Sequence, residues 1–335
     1  MSLPTPRLRT ACLTLASALI LCSCASTSST STQNASSEPG FPLTIENCST
    51  SITIDHKLER VALLEPASAT ALAQLGVLDR VVARAGAYPD EYYSPQVRSQ
   101  IAEIPNYTQD LDPTGHVQIS IDKILSDQPD SVFLGEVENI TPESLVEMNI
   151  PVIQEPAMCR TGAPESQSYQ SVYDQVSMYG KIFGVEDKAE QINSELAQRV
   201  KAAEETVEQS GRQGRTAAVL YPTVGGGTIY AYGTRSMADP QLTAAGFINV
   251  FADTDQRVFE VTPEELIARN PDVLILLHTD GQAQPVEDAL RSMPGASSIT
   301  AVKDDNIMVH LMNFTEPATP LSVTGLENIV DRFYS

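Results

Sequence analysis

The sequence predicts an α/β protein made of two Rossmann-like α/β lobes joined by a single long helical connector, with a ligand cleft between the lobes. Three observations carry this prediction. From Arg60 onward, short runs rich in aliphatic and β-branched residues alternate with helical stretches, which is the pattern of βαβ units rather than of a sandwich or bundle. A twelve-residue pattern occurs twice, as "ISIDKILSDQPD" at 119–130 and "VTPEELIARNPD" at 261–272, and each copy leads into an apolar strand-like run. Between the copies lies a long segment with helical apolar spacing, interrupted at Gly184-Val185. A single large doubly wound domain is the alternative architecture, and the repeat argues against it.

Taken in order, the chain begins with a targeting pattern. Arg7 and Arg9 precede "TACLTLASALILCSC", an apolar run too short and wrongly flanked to span a membrane permanently. Leu21-Cys22-Ser23-Cys24 resembles the lipobox of bacterial lipoproteins, which implies removal of residues 1–23 and a diacylglyceryl group on Cys24. An ordinary secretory signal is the alternative. Residues 24–40 are Ser/Thr-rich with little to bury, so they are expected to form a tether rather than a core. The implied location is extracytoplasmic, anchored to the bacterial membrane by that lipid.

Export also frames the cysteines. With Cys12 and Cys22 removed and Cys24 lipidated, Cys48 and Cys159 remain, and an oxidising compartment predicts a disulfide between them. Two free buried thiols are the alternative. Loss of Arg7 and Arg9 lowers the 21 basic side chains to 19 against 43 acidic ones, a formal charge of −24. Such a chain cannot neutralise phosphates, which excludes nucleic acid as a partner. The charge suits solubility and at most favours cationic ligands or basic protein surfaces.

The first lobe is expected over 41–164. "RVALLEP" and "RVVARAG" read as strands around the helix "SATALAQLG"; "SIDKILSDQ" and "TPESLVEMN" read as capped helices leading into the strands "SVFLG" and "PVIQEP". The connector follows over 165–211. The second lobe, 212–335, repeats the alternation through "RTAAVLY", "MADPQLTAAG", "TPEELIARN", "DVLILLH", "ALRSM" and "NIMVHLM", and closes with a helix near 321–335.

These segments, in this order, resemble the class III solute-binding proteins of ABC importers for iron-siderophores, haem and cobalamin. "ERVALLEPASATALAQLGVLDRVVARAG", "QISIDKILSDQPDSVFLG", "VFEVTPEELIARNPDVLILL" and "HLMNFTEPATP" carry the resemblance, which covers essentially the whole chain. It implies lobes that close only slightly on a ligand held between them, and a monomer that works with a membrane permease and its ATPase. Cys48 and Cys159 also resemble a branch with a cysteine before the first strand and another after the first lobe.

In open α/β sheets, ligands lie beyond the carboxyl ends of the strands. That rule selects Glu65, Tyr88, Tyr93 and Glu138 in the first lobe, and Tyr232, Arg235, His278 and Phe314 in the second, as ligand-binding candidates. Tyr92, Tyr221, Tyr230 and Glu316 are further cleft candidates. Tyrosines and an arginine suit a bulky metal chelate, since rings stack on its body and guanidinium meets oxygen ligands. The family resemblance implies a ferric siderophore as the solute, with haem or a corrinoid as the alternative. Direct zinc or manganese binding needs convergent histidines, and three ligands do not obviously converge around His278, His310 and Glu65. No cofactor and no catalytic residue are expected: a nucleophile elbow, a metalloprotease helix and a phosphate loop are all missing from the sequence. A secreted α/β enzyme and a purely structural lipoprotein are the remaining alternatives.

The repeat itself has a structural reading. Ser120 and Thr262 are expected N-caps, Asp122 and Glu264 stand in the first helical turn, where acids complement the helix dipole, and Glu265 is an expected capping-box partner. The family resemblance adds a second role. It implies that Asp122 and Glu264 are exposed acids, one per lobe, that pair with arginines of the permease.

Overall fold

The computed structural model describes residues 38–108, 117–135, 137, 140–225, 227–279 and 283–335. Cys24, Glu136 and Glu138 lie outside these residues. A hairpin comes first: β1 (Leu43–Asn47) pairs antiparallel with β2 (Thr50–Ile54). The next elements are β3 (Val61–Leu63), α1 (Ala69–Leu75), β4 (Val81–Arg84), α2 (Pro95–Glu103), α3 (Ile121–Leu125), β5 (Ser131–Leu134), α4 (Pro142–Val146) and β6 (Val152–Gln154). Their four strands form a wholly parallel sheet in the order β4-β3-β5-β6.

Two helices follow, α5 (Tyr169–Phe183) and α6 (Glu186–Ser210). The expected connector is thus a helical pair. Gly184 adopts the left-handed conformation that ends α5, a backbone that glycine reaches without steric cost. The chain then reverses, and Asn193 Nδ2 on α6 donates back to the Tyr173 carbonyl and to Ser177 Oγ on α5. The 25 residues of α6 span roughly 37 Å at the usual helical rise. Its buried Ile192, Leu196, Val200, Ala203 and Val207 recur at helical spacing and form one apolar stripe.

The second sheet is built from β7 (Thr216–Pro222), β8 (Ile229–Tyr232), α7 (Ala238–Ala244), β9 (Ile248–Asn249), β10 (Val258–Val261), α8 (Pro263–Arg269), β11 (Val273–His278), α9 (Ala283–Ser292), α10 (Thr300–Lys303), β12 (Ile307–Leu311) and α11 (Pro320–Tyr334). The strand order is β10-β8-β7-β11-β12, with β9 paired to β7. β7, β9, β11 and β12 run parallel, whereas β8 is antiparallel to both β7 and β10. The expected β/α alternation accounts for the parallel part. The β1–β2 hairpin and the β8–β10 edge are additions that alternation alone does not reveal.

Side-chain alternation along each central strand separates inner from outer cores. Val61, Leu63, Phe133, Ala217, Val219, Val273 and Ile275 face a core shared with α1, α5, α6 and α11. Their neighbours Ala218, Leu220, Leu274 and Leu276 pack outward with α8 and α9, and Ala62, Leu64, Val132 and Leu134 pack outward with α3 and α4. Both faces of β5 and β11 are therefore buried, which is why "SVFL" and "VLILLH" read as unbroken apolar runs.

The sequence repeat has a common structural role in both lobes. Asp130 Oδ2 accepts hydrogen bonds from the backbone N–H groups of Glu59 and Arg60, at 2.9 Å each, where the chain enters β3. Asp272 Oδ2 accepts from Thr216 N and Thr216 Oγ1, both at 2.8 Å, at the first residue of β7. Each Pro-Asp thus locks the start of its own strand against the start of the neighbouring central strand. The caps differ: Thr262 accepts from Glu265 N at 3.2 Å, but Ser120 makes no side-chain capping bond. Glu265 pairs with Arg269 one turn on instead of completing a capping box. Asp122 and Glu264 are exposed in their first turns.

A disulfide joins Cys48 to Cys159 with a Cα–Cα distance of 5.2 Å. Beside it, Asn47 exchanges two hydrogen bonds with the Gln154 backbone, so the β1–β2 turn is fastened to the end of β6. Among the described residues no helix is long and apolar enough to cross a membrane.

Hydrogen bonds to a charged acceptor contribute about 1.5–3 kcal/mol each. Asp272→Ala is expected to destabilise the fold by about 2–3 kcal/mol in urea unfolding. Asp130→Ala, at a more exposed site, should cost less. A change below about 0.5 kcal/mol for Asp272→Ala would remove the strand-locking role.

Candidate functional site

A cavity of about 370 Å³ lies between the two sheets, at the carboxyl ends of their strands. Its first-lobe wall includes Glu65 after β3, Gly135 after β5, and Glu155 and Met158 after β6. Its second-lobe wall includes Tyr221, Tyr230 and Tyr232 on β7 and β8, Arg257 beside β10, and Asn313 and Glu316 after β12. Tyr92, from the loop after β4, reaches the second lobe. Its hydroxyl donates to Asn313 Oδ1 at 3.1 Å and accepts from Asn313 N at 2.9 Å, while its ring meets Phe314 edge-on at 5.1 Å.

Three buried glutamates dominate the electrostatics. The Glu65 carboxylate accepts from Ala67 N at 2.7 Å, from Ser68 N at 3.0 Å and from the Ser68 hydroxyl, and so caps the start of α1. Ser68 Oγ also contacts the Tyr179 hydroxyl of α5 at 2.9 Å. Burial raises the Glu65 pKa, and these hydrogen bonds oppose the rise. Gly135 makes this placement possible, because a Cβ there would lie 2.7 Å from Glu65 Cβ.

Glu316 is the counterpart in the second lobe. It accepts from Met237 N at the start of α7, and from Arg257 Nη1 at 3.1 Å. Burial raises its pKa while Arg257 lowers it. The other arm of Arg257 reaches across the seam, its Nη2 lying 3.6 Å from Met158 Sδ.

Glu155 is the least well served of the three. Gln175 Nε2 donates to Oε2 at 2.8 Å, and Ala157 N approaches Oε1 at 3.4 Å. No ion-pair partner of Glu155 is found among the described residues. Burial, reinforced by the negative field of Glu65, pushes its pKa up to about 8.

The remaining expected residues have mixed placements. Glu65 and Tyr232 line the cavity. Tyr93 is buried in the shared core, and Tyr92 takes the cavity position; adjacent rings packed edge to face at 5.9 Å cannot both face one space. Tyr88 packs against the same core, with the Arg84 guanidinium 4.8 Å from its ring centre. Arg235 is turned away, in a bidentate pair with Asp255 at 2.7 Å. Arg257 supplies the guanidinium at the cavity instead. Phe314 and His278 are buried behind the wall. Phe314 stacks on His310 at 4.8 Å, and burial beside His278 pushes the His310 pKa down to about 3. Among the described residues no three His, Cys, Asp or Glu side chains are grouped to hold a metal ion.

Glu155 was accessible to the same strand-end rule, since it directly follows "PVIQ". Arg257 was not, because it precedes an antiparallel edge strand rather than following a parallel one.

A cavity walled by two α/β lobes that a helical connector joins defines the class. Residues 61–310 match the model of the periplasmic binding protein family. The chain belongs to that family, as a class III substrate-binding protein of an ABC importer. A solved structure from Saccharomonospora viridis DSM 43017, described as an ABC-type Fe3+-hydroxamate transport system, is 48% identical. It covers 88% of this chain and 100% of its own, with a TM-score of 0.83. The ABC transporter substrate-binding lipoprotein YvrC of Bacillus subtilis (strain 168) is 23% identical over 88% of this chain and 86% of its own length. A cobalamin-binding protein of Halobacterium salinarum is 24% identical, over 88% of this chain and 75% of its own.

An acid raised from 4.5 to about 8 keeps its proton in the fold after the unfolded chain has released it. Its contribution is therefore a stability that falls as pH rises through that window, by at most about 1.4 kcal/mol per pH unit. Glu155→Gln is expected to flatten the decline of unfolding free energy between about pH 5 and 8. An unchanged slope would mean that Glu155 is ionised in the fold.

Proposed function

We propose that the protein captures a ferric siderophore of the hydroxamate class and delivers it to a membrane permease and its ATPase. The carrying observation is the chemistry of the cavity. Its wall combines tyrosines and buried glutamates with Arg257, which is already engaged by Glu316. A ferric trishydroxamate bears no net charge unless its backbone adds one, so it enters such a site without a repulsive term. A ferric triscatecholate, with three negative charges, would need uncommitted cations. The 48% identity to the protein described as part of an Fe3+-hydroxamate transport system supports the same reading.

In this reading Cys24 carries the lipid that holds the protein, as a monomer, at the outer face of the cytoplasmic membrane. Asp122 and Glu264, exposed on α3 and α8 of different lobes, engage basic residues of the permease. Haem or a corrinoid is the second reading. The likeness to the cobalamin-binding protein of Halobacterium salinarum favours the corrinoid over haem.

Isothermal titration with a ferric trishydroxamate, a ferric triscatecholate, haem and cobalamin ranks these readings. The trishydroxamate is expected to bind at micromolar Kd or tighter and at least 100-fold better than the triscatecholate. Tighter binding of haem or cobalamin would replace the hydroxamate reading. For docking, Asp122→Ala combined with Glu264→Ala should abolish uptake by cells while leaving the solution Kd within about twofold. An equal loss of binding would place these acids in the ligand site instead.

A further inference from the structure

The cavity carries an asymmetry that a neutral ligand leaves unused. Glu65 is held by three donors of its own segment, and Glu316 by Met237 N and Arg257. Glu155 has Gln175 and a long contact from Ala157 N, although an ionised carboxylate can accept about four hydrogen bonds. The same Gln175 is buried, and its Oε1 has no hydrogen-bond partner among the described residues. Of the two, Glu155 lines the cavity, while Gln175 stands behind it and supports it through Nε2. What the carboxylate lacks is a donor with several N–H groups.

The groups around Glu155 agree on the sign of the missing charge. Glu65 faces it from the end of β3 and Glu316 from the second lobe, and both raise the cost of its ionisation. Tyr179, on α5, is a neutral phenol in the same cluster. Arg257 is drawn toward Glu316.

We propose that Glu155, held from behind by Gln175 and set in the field of Glu65, forms a subsite for a cationic arm of the ligand. Resting on the ferric-hydroxamate reading, this narrows the substrate to chelates that carry a free ammonium. Binding exchanges one positive charge for another at Glu155: the carboxyl releases its proton as the ammonium arrives, and the wall's net charge changes little. A neutral chelate brings no such exchange.

The test uses the full folded protein with two probes, ferrioxamine B, which carries a primary ammonium, and its N-acetyl derivative, which is neutral. Calorimetry is run at pH 6, 7 and 8 in buffers of different ionisation enthalpy. The ammonium probe is expected to bind at least tenfold tighter at pH 8. Its advantage should shrink toward pH 6, and proton release should accompany its binding at pH 7. In Glu155→Gln, whose thermal unfolding confirms a folded protein, the two probes should become equivalent within about twofold. That collapse separates charge from the added bulk of the acetyl group, which the substitution leaves in place. Equal affinity of both probes for the native protein would overturn the cation subsite while leaving the hydroxamate reading intact. An advantage that survives in Glu155→Gln would also overturn it. Binding of neither probe would overturn the hydroxamate reading and the subsite with it.

Discussion

The two sheets share one apolar core, and the remaining features of the molecule depend on that continuity. Residues from β3 and β5 and residues from β7 and β11 belong to a single buried cluster, bridged by the stripe of α6 and closed by α1, α5 and α11. Each fully buried aliphatic side chain in such a cluster contributes about 1.5–3 kcal/mol relative to exposure. Separating the lobes would therefore expose many such groups at once. A hinge made of extended strands carries no comparable restraint, so the cavity here is held by packing rather than formed by closure.

A fixed cavity lets the wall carry unfavourable charges that a mobile one could not. Glu65, Glu155 and Glu316 are each nearly inaccessible to water, and burial alone would keep carboxyls protonated. The chain offsets this by aiming Glu65 at the backbone N–H groups where α1 begins and Glu316 at those where α7 begins. The two helices are the first of their lobes, α1 following the central strand β3 and α7 following the antiparallel strand β8. Each lobe thus buries one glutamate against its first helix, although Glu65 follows β3 and Glu316 follows β12. Glu155 breaks the symmetry, having no helix of comparable position to receive it.

Beside the cavity, the seam between the lobes adds a few specific polar contacts to that shared core. Tyr92 and Asn313 exchange two hydrogen bonds across it, and Arg257 touches both Glu316 and Met158. The disulfide and the Asn47 hydrogen bonds secure the segment that bears Glu155 and Met158 from behind. At this edge of the cavity, residues 155–159 are held by covalent and polar ties in addition to the single 3-10 turn at Pro156–Met158.

Local patterning in the sequence determined the two-lobe α/β architecture, the helical segment between the lobes and most parallel strands, because apolar periodicity and capping residues act over a few positions; the disulfide pair came instead from the count of cysteines left in an exported chain. It also placed Glu65 and Tyr232 at strand ends. It could not decide which of Tyr92 and Tyr93 enters the cavity, nor that Arg257 rather than Arg235 faces it. Those choices follow from the antiparallel β8–β10 edge, which turns Arg235 toward Asp255, and from contacts made across more than a hundred residues of chain. Only the tertiary structure sets them, since burial, orientation and the field of a distant carboxylate are properties of packing rather than of neighbouring residues.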